Sequence, residues 1–295
     1  MTFKNLLFVA LLAITFTACK DDDDDPQTST TEALNLNLTG LSDLGSDYAY
    51  EGWIMVDGSP VTTGVFTVDA NGTPSKTSFD IDAAQLEKST AFILTIEPSP
   101  DNDPAPSDVH ILAGDFSGTN ATLSVDHGAA LGNDFTAATG TYILATPTDG
   151  MNNNEKSGVW FLDPATGPGP GLDLPTLPAG WKYEGWAVIN ETPVSTGTFT
   201  SASGADDSGL FSGTMGGPAY PGEDFVQNAP AGLSFPTDLA GTTIVISIEP
   251  SPDNSAAPFL LKPLVAPVDA AATDHTPYTM NNNAAATNPT GTATK

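Results

Sequence analysis

Short apolar runs alternate with turn-forming residues along most of the chain, and this pattern predicts strands rather than helices. The clearest strands are 49–56, 91–96 and 243–248. In 49–56 both alternating faces are largely apolar, as in a central strand that is covered on both sides. Asp57-Gly58 follows as a hairpin signal, and 82–88 is the one candidate helix. An all-β fold is therefore expected.

The strand pattern occurs twice. Tyr-Glu-Gly-Trp stands at 50–53 and 183–186, and Ile-Glu-Pro-Ser-Pro-Asp-Asn at 96–102 and 248–254. The offset grows from 183 − 50 = 133 to 248 − 96 = 152, so the second copy contains about nineteen extra residues between the two blocks. Ordered blocks at changing offsets indicate a duplicated domain rather than a short-period repeat array. We therefore predict two tandem, duplicated β-sandwich-like modules, at 34–150 and 158–268, followed by a polar C-terminal tail at 269–295.

The start of the chain has the form of an export signal. Residues 6–16 are an uninterrupted apolar run, preceded by Lys4. A bilayer span needs about 20 apolar residues, so this run is too short for a membrane helix. Small residues precede Cys19, the only cysteine, and this segment resembles the lipobox of bacterial lipoproteins. The resemblance implies that 1–18 is a cleaved signal peptide and that acyl chains on Cys19 anchor the protein to the membrane.

An acidic segment follows the cysteine. Residues 21–25 are five consecutive aspartates, which repel one another and cannot pack, so 19–33 is expected to be a disordered tether. An acidic run beside an acylated cysteine also resembles the surface-export signal of Bacteroidota lipoproteins. That resemblance implies a surface-exposed outer-membrane protein, with a periplasm-facing one as the alternative.

The charge balance excludes some partners. The chain has 8 Lys and Arg against 36 Asp and Glu, a net charge of −28. Such a chain repels phosphate groups, so no nucleic acid partner is expected. Because only 15% of residues are charged and 39% are hydrophobic, a folded chain is predicted rather than an acidic disordered one.

The order of the repeated blocks resembles the extracytoplasmic C-terminal domain of anti-sigma-K factors (RskA type). In that family an aromatic strand ending in Trp precedes a Pro-Val-Ser-x-Gly-x-Phe segment, and a later strand runs into Glu-Pro. The first copy matches at 50–53, 60–66 and 93–98, with further matches at 104–106 and 109–114. The second copy matches at 183–186, 193–199, 245–250 and 252–258.

The resemblance covers about 34–116 and 172–265 and implies an ectodomain fold used for sensing or for binding another envelope protein. The family also has a cytoplasmic helical domain and a membrane span, which this sequence does not show. Direct sigma factor binding is therefore not expected.

Two groups of residues are candidates for binding. Oxygen-rich turns follow each Ile-Glu-Pro strand and could hold calcium, although we favour ordinary turns that bond to the local backbone. The motif tryptophans could stack on a sugar or a partner, although we favour core positions for them. With these preferences no metal and no cofactor are expected. The candidate binding residues are Trp53, Trp186, Glu97, Asp101, Asn102, Glu249, Asp253 and Asn254.

No residue pattern favours catalysis. The three histidines lack zinc-type spacing, and no serine stands in a G-x-S-x-G sequence. We therefore expect a non-enzymatic envelope lipoprotein that senses or binds a partner outside the cytoplasm. The alternatives are a surface glycan-binding or adhesion module and, third, a hydrolase.

Overall fold

The computed structural model describes residues 30–165, 167–253 and 255–295. Of the described residues, 42% are in strands and 4% in helices, and the predicted all-β class is confirmed. Within the described ranges no helix has the length and apolar character needed to cross a membrane. The predicted signal peptide, the predicted lipid-attachment residue Cys19 and the aspartate run lie outside these ranges.

Twenty strands, several of them only two residues long, and two short helices make up the described part of the chain. In order these are β1 (Thr31–Thr39), β2 (Tyr48–Val56), β3 (Ser59–Phe66), β4 (Ser78–Asp82), α1 (Ala83–Lys88), β5 (Ala91–Pro98), β6 (His110–Ser117), β7 (Asn120–Leu123), β8 (Thr139–Leu144), β9 (Gly158–Trp160), β10 (Leu162–Asp163), β11 (Gly169–Pro170), β12 (Leu172–Asp173), β13 (Trp181–Ile189), β14 (Thr192–Phe199), β15 (Gly222–Asp224), β16 (Thr243–Pro250), β17 (Leu264–Pro267), β18 (Tyr278–Thr279), β19 (Asn281–Asn282), α2 (Ala284–Thr287) and β20 (Thr290–Thr294).

The two copies of the sequence repeat form the same four-stranded antiparallel arrangement. Its order is β3-β2-β5-β6 in the first copy and β14-β13-β16-β17 in the second. The register shifts after the motif glycine in both, between Gly52 and Trp53 and between Gly185 and Trp186. Strand β2 is buried along most of its length, as predicted for a central strand.

Local sequence accounts for the turns of these sheets. Asp57 and Gly58 have φ values of 51° and 79°, as a type I′ hairpin turn requires. The second copy makes the same turn with Asn190 and Glu191, at 49° and 67°. The predicted helix is α1, and Asp82 caps its first turn by accepting hydrogen bonds from two backbone N–H groups.

The sheet of the first repeat continues to eight strands, in the order β3-β2-β5-β6-β7-β20-β1-β4. Strand β6 pairs with β5 along most of its length and with β7 only through its last two residues. The sheet therefore folds over at β6, which gives a sandwich-like pair of layers. Leu34, Leu36 and Leu38 alternate with exposed residues along β1 and are buried, because their face of the strand packs on the core between the layers.

The C-terminal segment differs from the prediction of a polar tail outside the modules. Strand β20 lies between β1 and β7 and pairs with both. Ala293 on this strand is fully buried, and the Lys295 ammonium donates hydrogen bonds to backbone carbonyls of Leu86, Glu87 and Ser89. The last residues of the chain thus complete the sheet that its first described strand begins.

The predicted module boundaries also do not separate the sheets. Strand β8, assigned to the first module, pairs with β9, β12 and β18, all of which were placed after residue 150. One continuous cluster of buried residues includes side chains from both repeats and from β20. The two copies are therefore structural repeats that share a single core.

Candidate functional site

The motif tryptophans lie in the interior. Trp53 is 3% exposed and Trp186 is 2% exposed. The indole N–H of Trp53 donates to Thr95 Oγ1 at 2.9 Å, and that of Trp186 donates to Ser247 Oγ at 2.8 Å. The favoured interpretation as core residues is confirmed, and neither indole is available for stacking on a ligand.

The motif glutamates are buried on the same face as the tryptophans, because residues two apart in a strand point the same way. Glu51 accepts a hydrogen bond from the Thr62 hydroxyl, and Glu184 accepts one from the Ser195 hydroxyl. These hydroxyls lie on the neighbouring strands β3 and β14. They partly offset the cost of burying a carboxyl group.

Glu97 and Glu249, the next-to-last residues of β5 and β16, hold the loops that follow these strands. Both carboxylate oxygens of Glu97 accept the backbone N–H of Ser107, at 2.9 and 3.2 Å. Glu249 uses only Oε1, which accepts the N–H of Phe259 at 2.9 Å and the hydroxyl of Ser247. Glutamates at matching positions thus accept a backbone N–H of the following loop in both repeats, but only Glu249 has a carboxylate oxygen without a hydrogen-bond partner.

The acidic turns after these glutamates are backbone-bonded turns, as the favoured interpretation predicts. Asp101 accepts the N–H of Asp103 at 2.9 Å, and Asp253 accepts the N–H of Ser255 at 2.8 Å. Asn102 is exposed, and Asn254 lies outside the described residues.

Three carboxylates converge in the second repeat. Oxygens of Glu184, Glu249 and Asp253 all lie within 4.8 Å of one another, and this is the one such group of three Asp, Glu, His or Cys residues in the described part of the chain. Glu184 is 5% exposed and Glu249 is 1% exposed, whereas Asp253 reaches solvent. Oε2 of Glu184 and Oε2 of Glu249 are buried without a hydrogen-bond partner.

Burial changes the acidity of this cluster. Removal from water disfavours the charged form of a carboxyl group, and it raises the pKa of Glu184 to about 8 and that of Glu249 to about 7. Repulsion from Glu249 and Asp253 raises the pKa of Glu184 further. Near neutral pH the cluster therefore holds protons that another positive species could replace.

Two cavities reach the cluster from outside. One, of about 310 Å³, lies between the two repeats, and Glu249 and Asp253 contribute to its wall together with Tyr48 and Ile96 of the first repeat. The second, of about 330 Å³, is also lined by Glu249 and Asp253, and by Lys182 and its neighbours. A small solute in either cavity can therefore approach the exposed Asp253, whereas Glu249 is nearly inaccessible.

A second acidic cluster was not anticipated. Asp224 accepts the indole N–H of Trp160 at 2.8 Å and the backbone N–H of Thr148 at 2.7 Å, while Glu223 accepts the Ser212 hydroxyl. Their pKa values are raised by burial. Unlike the first cluster, this one has no buried side-chain oxygen without a partner. Glu223 and Asp224 lie in the insertion of the second copy. This insertion has no counterpart in the first copy, so comparison of the two copies could not have identified them.

No protein-family model, curated protein or solved structure matches the chain at a significant level.

Proposed function

We propose that this protein is a non-enzymatic envelope lipoprotein, anchored through Cys19, whose all-β body binds another envelope protein outside the cytoplasm. An exposed apolar surface, formed by the loop of Met151 and by the insertion of the second copy, is the observation that carries the binding part. Met151, Leu210 and Met215 are 63%, 61% and 59% exposed. Exposed apolar groups that lie together are typical of sites for a protein partner.

These three residues belong to one region of the surface. The backbone N–H of Met215 donates to the carbonyl of Thr148 at 3.0 Å, which brings it beside the loop that carries Met151. Met215 also shares the wall of a cavity of about 260 Å³ with Gly209, the neighbour of Leu210. Methionine adapts its shape readily to an apolar partner, so this rim suits a protein surface.

The arrangement of the carboxylates favours binding over hydrolysis. A glycosidase holds its two carboxyl groups on either side of the sugar, at least about 5 Å apart. The side chains of Glu184 and Glu249 are 5% and 1% exposed, so a sugar ring cannot enter between them. The buried tryptophans likewise weaken the glycan-binding alternative, because they offer no stacking surface.

The anchoring part rests on the sequence before residue 30 and is tested by replacing the thiol. In the native host, the wild-type chain is expected in the membrane fraction, and Cys19→Ser is expected in the soluble fraction with altered electrophoretic mobility. Unchanged fractionation and mobility would refute the anchor. Protease treatment of intact cells then distinguishes surface display, in which the body is digested, from a periplasm-facing position, in which it is protected.

The binding part is tested by photo-cross-linking in the native envelope. A photoreactive residue at Leu210 or Met215 is expected to yield a specific protein adduct. The same residue at Val65, which is 55% exposed on the edge strand β3, serves as the matched control and should yield none. Absence of adducts at all three positions, together with retention of the protein on a glycan array, would favour the glycan-binding alternative instead.

A further inference from the structure

We infer that Glu184, Glu249 and Asp253 form a binding site for one Ca²⁺ ion in the second repeat. This inference concerns the folded body alone and does not depend on the anchor or on a protein partner. It begins with the spacing of the three side chains. Calcium binds oxygen ligands at about 2.3–2.6 Å, so two ligands on opposite sides of the ion lie at most about 5 Å apart. Oxygens from all three residues meet this limit, since they lie within 4.8 Å of one another.

The unpartnered oxygens supply the second argument. Native proteins leave few buried polar atoms without a partner, and each one calls for an explanation. Two such atoms, Oε2 of Glu184 and Oε2 of Glu249, occur on side chains that are at least nine-tenths buried. Their Oε1 atoms are held by the hydroxyls of Ser195 and Ser247. The serines therefore orient both carboxylates and leave one oxygen of each for an ion.

No protein cation takes this place. None of the ion pairs among the described residues includes a carboxylate of the cluster. Lys182 on β13 is instead bound to Asp207 at 3.2 Å and to Thr198 at 3.0 Å. Lys262 acts on Glu249 only through longer-range attraction. The cluster thus brings together three carboxyl groups that no cation of the described chain pairs.

The chemistry of the ligands indicates a hard cation. All three groups are carboxylates, which suit calcium and magnesium better than zinc or copper. Magnesium requires oxygens at about 2.0–2.1 Å in near-octahedral geometry and holds its water tightly, so it would need the side chains to move closer together. Calcium accepts the looser spacing and a variable number of waters, which the two adjoining cavities can provide.

The first repeat offers an internal comparison. Glu51, Glu97 and Asp101 occupy the matching positions, but both oxygens of Glu97 are already used by the N–H of Ser107. The first repeat also has no buried carboxylate oxygen without a partner. Its glutamates therefore serve as structural counterparts, and their variants are matched controls for the proposed site.

The experiment is a calorimetric titration of the full chain, purified and freed of metal with EDTA, with CaCl₂. Extracellular calcium modules bind with dissociation constants of about 0.1–1 mM, so the titration should extend to about 10 mM. We expect one Ca²⁺ per chain. Asp253→Asn and Glu249→Gln should each weaken binding at least tenfold, while the controls Asp101→Asn and Glu97→Gln should stay within about twofold of wild type. MgCl₂ should bind at least tenfold more weakly than CaCl₂.

Three results would overturn the inference. These are no saturable binding of Ca²⁺, a loss of Ca²⁺ affinity in the two control variants as large as in the variants of the site, and tighter binding of Mg²⁺ than of Ca²⁺. If Glu249→Gln does not fold, Asp253→Asn decides the matter, because Asp253 lies at the surface and its replacement leaves the core intact. An unchanged affinity in that variant would place the calcium elsewhere.

Discussion

Replacing Ala293 with aspartate tests whether the C-terminal residues belong to the sheet. Ala293 is fully buried in β20, opposite Leu36 on one side and Ala121 on the other. A carboxylate at this position would lose its water and find apolar neighbours. Its least costly state is the protonated acid, because a buried charge without a partner is far more expensive.

The cost of keeping that acid protonated sets the expected magnitude. An ordinary aspartate has a pKa of about 3.9, and each pH unit above it costs about 1.4 kcal/mol. At pH 7 the variant should therefore lose about 4 kcal/mol of unfolding free energy relative to wild type, and about 1.5 kcal/mol at pH 5. The loss shrinks as the pH falls, because protonation is then achieved without cost.

Urea unfolding followed by tryptophan fluorescence measures this loss, since all four tryptophans are buried. For a slope of about 2–3 kcal/mol/M, the midpoint should fall by roughly 1.5–2 M at pH 7. Thr292→Asp is the matched control: it adds the same charge one residue away, where the side chain is exposed, and should change stability by less than about 0.5 kcal/mol. Equal midpoints for the two variants at both pH values would refute the placement of β20 in the sheet.

Two further outcomes are expected. Gly185→Ala would place a Cβ atom 2.3 Å from Thr196 Oγ1 and 2.7 Å from the Phe161 ring, and it should destabilise the protein by about 1–3 kcal/mol in thermal unfolding. Gly209→Ala, whose Cβ atom would meet open space, should not change the stability. Equal melting temperatures for the two variants would contradict the close packing of the motif. Burial raises the pKa of Asp206 to about 7, so the stability that its protonated form contributes is fully present below pH 4 and is lost as the pH rises through 7. In Asp206→Asn the unfolding free energy should decline less between pH 4 and 8, by at most about 4 kcal/mol. An unchanged pH profile of unfolding would contradict the raised pKa.

The sequence predicts local features of this fold well. Strand β2, the Asp57-Gly58 turn and helix α1 each follow from a few neighbouring residues, because alternation, turn preference and capping are local effects. The internal repeat predicts that two copies of one strand arrangement exist, and both copies have it. The register shift at Gly52 could not be predicted, since it arises only when β2 pairs with β3.

The pairing of the two ends of the chain lies beyond such reasoning. Strand β20 contains one buried residue, Ala293, among threonines and a glycine, so its sequence resembles a polar tail. Its partners β1 and β7 lie more than 160 residues away along the chain, and no periodic pattern records a contact at that separation. Strand β1 itself carries a signal in its alternating Leu34, Leu36 and Leu38, which a closer search for period two would detect.

Comparison of the two repeats separates residues that maintain the fold from residues that serve another purpose. Trp53 and Trp186 are bound in the same way to a hydroxyl on the neighbouring strand, so their identity in both copies is explained by folding alone. Glu97 and Glu249 are equally matched in sequence, yet Glu97 uses both of its oxygens and Glu249 only one. The N–H and hydroxyl bonds that hold Glu249 use Oε1 alone, so they do not explain the burial of Oε2. A buried, unpartnered carboxyl oxygen that is present in one repeat and absent from the other is the reason to look for a cation at this position.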